Sequence, residues 1–227
     1  KGSPVFFHDH MSRLASSVSH LNRKPLASVD ELRRSILNLT RSDKKKEANL
    51  KIVFNYNKES EHWLVYFLEP FYPSAAQYKK GVRGILFSAE RRNPESKVIN
   101  HKLRTSVTSK LLADKAYEAL LVNENNEVTE GSKSNIFFLK DDTLVTAPDK
   151  VILGGITRKH ILGICREHKI KVVFKCVNAD DISDYDSVFM TGTSPMVLTF
   201  CCIDDIMFNT KLPLMEKLRK LYMKKAE

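Results

Sequence analysis

Cysteine is scarce in this chain, and the four present form no pattern. Cys165, Cys176, Cys201 and Cys202 make no C-x-x-C pair, and no His stands at metal-ligand spacing from them. That spacing predicts reduced core thiols in a cytoplasmic protein. No apolar run approaches the length of a membrane helix, and no signal-peptide pattern opens the chain, so no membrane partner is expected. There is no internal repeat. Met is missing at the first position, where the chain reads Lys1-Gly2-Ser3-Pro4, and the expectation is that native N-terminal sequence precedes it. Acidic residues are in deficit: Lys plus Arg number 37 and Asp plus Glu 27, a net charge of +10. Such a balance suits anionic ligands, nucleic acid or a plain basic surface. The lysines are scattered. Their one dense run, Lys44-Lys45-Lys46, meets Glu47 at once and carries no interleaved aromatic residue. It makes a poor nucleic-acid stripe, and the basic surface is the better reading.

What is present is a chain of 227 residues, long enough to bury a substantial core in one large or two small domains. Apolar spacing predicts a helix over residues 8–20. A capping box, Ser28 with Glu31 three residues on, opens a second helix that runs to about residue 39. Residues 40–47 read as a loop, and 50–56 and 63–71 as paired strands. The stretch 70–80 holds two prolines and little periodicity, which predicts a linker. Beyond it come a strand over 81–88 and a helix over 103–116 with Val107, Leu111, Leu112 and Ala116 on one face. A strand over 117–122 and a turn at 123–126 lead to a meander of strands at 127–130, 136–140 and 143–147. A helix at 156–168 and strands at 171–177 and 187–190 follow. A hairpin over 198–208 turns at Asp204-Asp205, and a helix over 213–225 closes the chain. Mixed helices and hairpins predict an α+β fold of two domains, 1–77 and 78–227.

Three segments are shaped for a ligand. In Val128-Thr129-Glu130-Gly131-Ser132-Lys133-Ser134-Asn135-Ile136, one carboxylate ends a short apolar run. A buried strand end is a costly place for a charge without a partner, and a cation or a protonated ligand nitrogen would supply one. Gly154-Gly155-Ile156-Thr157 opens a helix. A helix N-terminus offers unpaired N–H groups and partial positive charge, glycines admit a close approach, and the Thr hydroxyl adds a donor, which together form a cup for phosphate. Thr191-Gly192-Thr193-Ser194 closes a strand with a second hydroxyl-rich loop. Each alone reads as an ordinary cap or turn. Together they suit pyridoxal phosphate, which needs a Lys for its aldehyde, an acid for its ring nitrogen and a cage for its phosphate.

Thr129 to Asn135, followed by Gly155-Ile156-Thr157-Arg158, resembles the fold-type IV pyridoxal phosphate enzymes, the class IV aminotransferase family. D-amino acid aminotransferase, branched-chain aminotransferase and aminodeoxychorismate lyase belong to it. His10-Met11-Ser12-Arg13-Leu14 is similar to the family's early H-x-x-R-L. The resemblance implies a small N-terminal α/β domain that lacks its first strand here, and a larger domain of barrel-like sheet with helices. It implies a homodimer acting on an amino acid and a 2-oxo acid. By position, Glu130 pairs with the ring nitrogen. Arg13, Ile156, Thr157, Gly192 and Thr193 hold the phosphate, while Ser134 and Asn135 hold the turn. The imine lysine and general base aligns with Lys102, in Asn100-His101-Lys102-Leu103-Arg104-Thr105, where Thr105 stands in place of the Asn of the usual K-x-x-N. Lys110 and Lys115 fall inside the predicted helix. Within the family, T-E-G-S-x-S-N is closest to the D-amino acid aminotransferases, the G-G-N-Y of the branched-chain enzymes is absent, and Ser194-Pro195-Met196 leans toward the lyase. The expectation is an aminotransferase, with aminodeoxychorismate lyase as the alternative.

Overall fold

The computed structural model describes residues 4–43, 48–69 and 71–226. The Lys44–Lys46 run therefore lies outside the described residues. The chain divides into two compact units, Lys1–Tyr72 and Pro73–Glu227, at a point five residues before the 77/78 boundary expected from sequence.

The first unit holds α1 (Phe7–His20), α2 (Val29–Asp43), β1 (Asn49–Tyr56) and β2 (Glu61–Leu68). The capping box is formed as read: Ser28 N–H donates to Glu31 Oε2 at 2.8 Å and Glu31 N–H to Ser28 Oγ at 3.2 Å. Helix α2 runs four residues beyond the expected end, so Thr40 to Asp43 are helical rather than loop. β1 and β2 form an antiparallel hairpin in unbroken register from Asn49–Leu68 to Tyr56–Glu61.

The second unit begins with α3 (Ala75–Lys80), where a linker was expected. Two prolines hid a second capping box, with Ser74 Oγ accepting from Gln77 N–H and Gln77 Oε1 from Ser74 N–H. Then follow β3 (Val82–Ser88), α4 (His101–Ala113), β4 (Glu118–Val122), β5 (Glu127–Gly131), β6 (Asn135–Lys140) and β7 (Thr143–Thr146). α5 (Ile156–Glu167), β8 (Val172–Phe174), β9 (Val177–Asn178), β10 (Ser187–Gly192), β11 (Met196–Ile203), β12 (Ile206–Met207) and α6 (Pro213–Ala226) complete it. The strands make one mixed sheet in the order β8-β7-β6-β10-β11-β3-β4-β5-β9, with β12 on β11.

The sheet is buried on both faces where β4 runs, which is why Ala119-Leu120-Leu121-Val122 is a continuous apolar run. Leu120 and Val122 join Phe138, Met190, Leu198 and Phe200 in one core, while Ala119 and Leu121 join Ile85 and Val107 of α4 in another. Burying side chains of this size stabilises by about 2 kcal/mol each. Leu112, expected on the same face of α4 as Val107, is 75% exposed instead. The expected meander is also corrected. β5 pairs with β4 and β9, and β6 pairs with β7 and β10, so the two are consecutive in the chain yet five places apart in the sheet. The sheet curls enough for them to touch at the turn between them.

Candidate functional site

That turn positions the first candidate residue. Glu130, at the end of β5, is 2% exposed. Its Oε1 accepts from Arg91 Nε at 2.6 Å, and its Oε2 from the Leu153 N–H at 3.3 Å. Burial pushes its pKa up, and Arg91, the Leu153 amide and Lys97 pull it back. Each carboxylate oxygen has two acceptor positions, so one further donor fits on each.

A second buried carboxylate holds the turn itself. Glu118 Oε1 accepts from the N–H and hydroxyl of Ser132 at 3.1 and 2.6 Å and from the Ala119 N–H at 2.9 Å. Its Oε2 accepts from Ser134 Oγ at 2.8 Å and the Lys133 N–H at 3.3 Å. Gly131 admits this packing, since a Cβ there would lie 2.1 Å from Ser134 Oγ. Ser134 therefore serves the turn, as read from sequence. Asn135 reaches further. Its Nδ2 donates to the Leu153 carbonyl at 2.8 Å. Glu130 and Asn135, the two ends of the E-G-x-x-x-N motif, thus grip the N–H and the C=O of one residue.

Leu153 leads directly into the helix start. Gly155 is the N-cap of α5 and provides no side-chain cap, which leaves the first-turn N–H groups, those of Ile156 and Thr157 among them, without a capping side chain. A Cβ on Gly155 would sit 2.0 Å from Asn135 Oδ1, whereas one on Gly154 would meet nothing within 4 Å. The first glycine leaves an approach open, and the second lets the E-G-x-x-x-N turn seat against the loop. Arg158 secures the loop from behind. It is buried, pairs with Asp149, and donates to the Ala147 carbonyl at 2.8 Å. The Thr157 hydroxyl is buried and lies 3.2 Å from Tyr222 Oη.

The third loop, Thr193 to Pro195, joins β10 to β11. Thr191 Oγ1 donates to the Asn135 carbonyl at 3.5 Å, and a Cβ on Gly192 would lie 3.7 Å from the Lys133 carbonyl. Thr193 itself is exposed. Glu130, Ile156, Thr157, Gly192 and Thr193 therefore gather at one end of the curled sheet. Arg13 belongs to the other unit, on α1, half-buried and 3.5 Å from His10 Nδ1, so the H-x-x-R pair meets across one helical turn.

Among the described residues, no hydrogen bond or ion pair ties Lys102 to this group. The resemblance calls for a lysine just ahead of the helix, and α4 begins at His101, which puts an exposed Lys102 inside its first turn. Asn100 is the cap of that helix, its Oδ1 accepting from the Leu103 N–H at 3.1 Å. Three residues earlier, before the helix, stands Lys97, whose charge acts on Glu130. Lys97-Val98-Ile99-Asn100 spells the K-x-x-N that was missing at Lys102. That spelling is the signal in the sequence that points to Lys97, and the reading that chose Lys102 passed over it. Arg91 and Glu118 carried no such signal, because only the sheet order brings them to Glu130 and the turn.

The donor set fits a ligand with a nitrogen at one end and an anion at the other. Buried Glu130 would meet the nitrogen, the α5 start would meet the anion, and Lys97, whose charge acts on Glu130, would supply an amine. Among the described residues, no group of three or more His, Cys, Asp or Glu is placed to hold a metal ion, and no helix is long and apolar enough to cross a membrane.

Comparison with known proteins agrees with this arrangement. The profile of the family described as Amino-transferase class IV matches residues 1–201. A branched-chain-amino-acid aminotransferase of Pseudomonas aeruginosa is 37% identical over 109 residues, 47% of this chain and 36% of its own. A D-alanine aminotransferase of Bacillus licheniformis is 33% identical over 109 residues, 48% of this chain and 38% of its own. The chain thus spans little more than a third of either relative. A candidate 4-amino-4-deoxychorismate lyase of Legionella pneumophila superposes with a TM-score of 0.87 at 24% identity, over 99% of this chain and 87% of that one, a likeness of fold.

Proposed function

Since this chain belongs to the class IV aminotransferase family, we propose that it is a pyridoxal phosphate-dependent aminotransferase that moves an amino group between an amino acid and a 2-oxo acid. The observation that carries this reading is the join at Leu153, which locks the buried Glu130 carboxylate to the uncapped start of α5. When bound, the cofactor supplies an aldehyde that condenses with amines and a ring that draws electrons from the carbon beside the nitrogen. Glu130 keeps a proton on the ring nitrogen, and its own charge is sustained by Arg91. The Ile156 and Thr157 N–H groups and the α5 dipole hold the phosphate, and Gly192 and Thr193 are assigned to the same end by resemblance. Lys97, in place of Lys102, provides the amine for the aldehyde and the base that moves the proton at the substrate Cα.

Both curated relatives described above bear aminotransferase names, which favours transamination over the lyase. One is a branched-chain and the other a D-alanine enzyme, and the motif cue toward the D-amino acid branch supports the second. The homodimer follows from the family resemblance. Four free thiols suit a reducing compartment and support a cytoplasmic location.

A spectral titration tests the reading. The protein loaded with pyridoxal phosphate is mixed in turn with L- and D-amino acids, and the cofactor absorbance is followed without a second substrate. Conversion to the pyridoxamine form by any amino acid is expected. Pyruvate release from aminodeoxychorismate without that conversion would transfer the protein to the lyase branch. No bound absorbance at all would end the proposal.

A further inference from the structure

Tyr222 lies on the closing helix α6, far along the chain from the motifs, yet its hydroxyl is 3.2 Å from Thr157 Oγ1. Met215, Leu218 and Tyr222 recur at three- and four-residue spacing and are the buried side chains of α6, so the helix face that packs inward delivers the phenol there. α6 touches α5 and β11, and at the surface Lys225 Nζ meets Glu167 of α5 at 3.0 Å. That exposed pair contributes little, whereas the apolar stripe packs the helix inward and the hydroxyl contact joins it to the first turn of α5. Thr157 occupies the first turn of α5, where the cap residue Gly155 provides no side-chain acceptor.

A hydroxyl has one proton to give and two lone pairs to accept with. With Tyr222 donating to Thr157 Oγ1, the Thr157 proton is released for a further acceptor, and hydroxyls chained in this way polarise one another. Burial raises the Tyr222 pKa, so the phenol stays a donor at neutral pH. We propose that Tyr222 is a positioning residue for the phosphate cup, which sets the Thr157 hydroxyl as a donor to the bound phosphate. The inference rests on the reading of this site as a pyridoxal phosphate site. It makes the closing helix part of the cofactor grip, although none of the three ligand-shaped loops lies on it.

Calorimetric titration with pyridoxamine 5'-phosphate tests it, because that compound has no aldehyde for a lysine to bond. The proteins are the wild type, Tyr222→Phe, Thr157→Val and the double variant, with Thr157→Ser as the conservative control. Thr157→Val is expected to weaken binding about tenfold, the loss of one hydrogen bond to a charged group. Tyr222→Phe is expected to weaken it about fivefold alone and by less than about twofold when Thr157→Val is already present, because the two act as one unit. In Thr157→Ser the dependence on Tyr222 returns. Equal losses from Tyr222→Phe in both backgrounds, or no loss in either, overturn the inference while leaving the site reading intact. A wild type that fails to bind pyridoxamine 5'-phosphate overturns both.

Discussion

Two buried carboxylates stand on neighbouring strands and are treated in opposite ways. Glu118, at the start of β4, takes five hydrogen bonds from neutral donors, all from Ala119 and the Ser132–Ser134 turn. Glu130, at the end of β5, takes one from a guanidinium and one long one from an amide. The first is saturated by its own chain and functions as a structural peg. The second is held in place with acceptor capacity left over, and burial keeps its charge under strain. A fold that only needed to satisfy a carboxylate would build the first kind. The second kind suits a group reserved for a ligand.

Substitutions break the comparison in a graded way. Glu118→Gln turns one of two fully used oxygens into a donor facing donors, so the turn loses its peg. The expected destabilisation is about 3 kcal/mol, read by chemical denaturation. A loss below about 0.5 kcal/mol would mean that the turn holds itself.

Arg91→Ala strikes the other carboxylate. It leaves Glu130 buried without its cation, at a cost of about 2–3 kcal/mol at neutral pH. The pH dependence separates the two sites further. Burial has already raised the Glu130 pKa, so in the cofactor-free protein this group contributes stability at low pH that is lost as pH rises through its folded value. Without Arg91 the folded value rises again. The stability deficit of Arg91→Ala is therefore expected to be small near pH 4 and to grow toward pH 8 in thermal melts. A deficit independent of pH would disconnect Arg91 from the Glu130 charge.

Gly155→Ala is smaller still in stability, about 1–2 kcal/mol, because the new methyl drives Asn135 off the Leu153 carbonyl. Its effect on retention of pyridoxal phosphate should exceed its effect on melting, and equal retention would separate the E-G-x-x-x-N turn from the phosphate cup. Lys102→Ala is the mildest. An exposed first-turn lysine should change stability by no more than about 0.5 kcal/mol and leave cofactor binding as it was. Loss of cofactor would restore Lys102 to the role assigned to it from sequence.

The sequence made the turn motif and the α5 start legible because both are local: a carboxylate, glycines and hydroxyls within a few residues of one another define them. It made most elements legible for the same reason. What it concealed depends on distant pairing. Arg91 reaches Glu130 only because β3, β4 and β5 lie side by side. Glu118 caps the turn only because β4 is the neighbour of β5. β5 and β6 read as adjacent hairpin strands because nothing local reveals the curl that separates their pairing. The proposed move from Lys102 to Lys97 has a different origin. A helix start set two residues late, at Leu103 instead of His101, made Lys102 seem to precede α4 and drew attention away from an Asn100 cap that completes K-x-x-N. At α3 the prolines outweighed Ser74 and Gln77, whose reciprocal bonds start a helix within two residues of Pro73.

The most direct measurement is chemical. The protein is incubated with pyridoxal phosphate, reduced with borohydride, digested, and the phosphopyridoxyl group located by peptide mass spectrometry. The account predicts that the group is found on Lys97, with Lys97→Ala abolishing it. Label on Lys102, or spread among surface lysines with no preferred position, would contradict it.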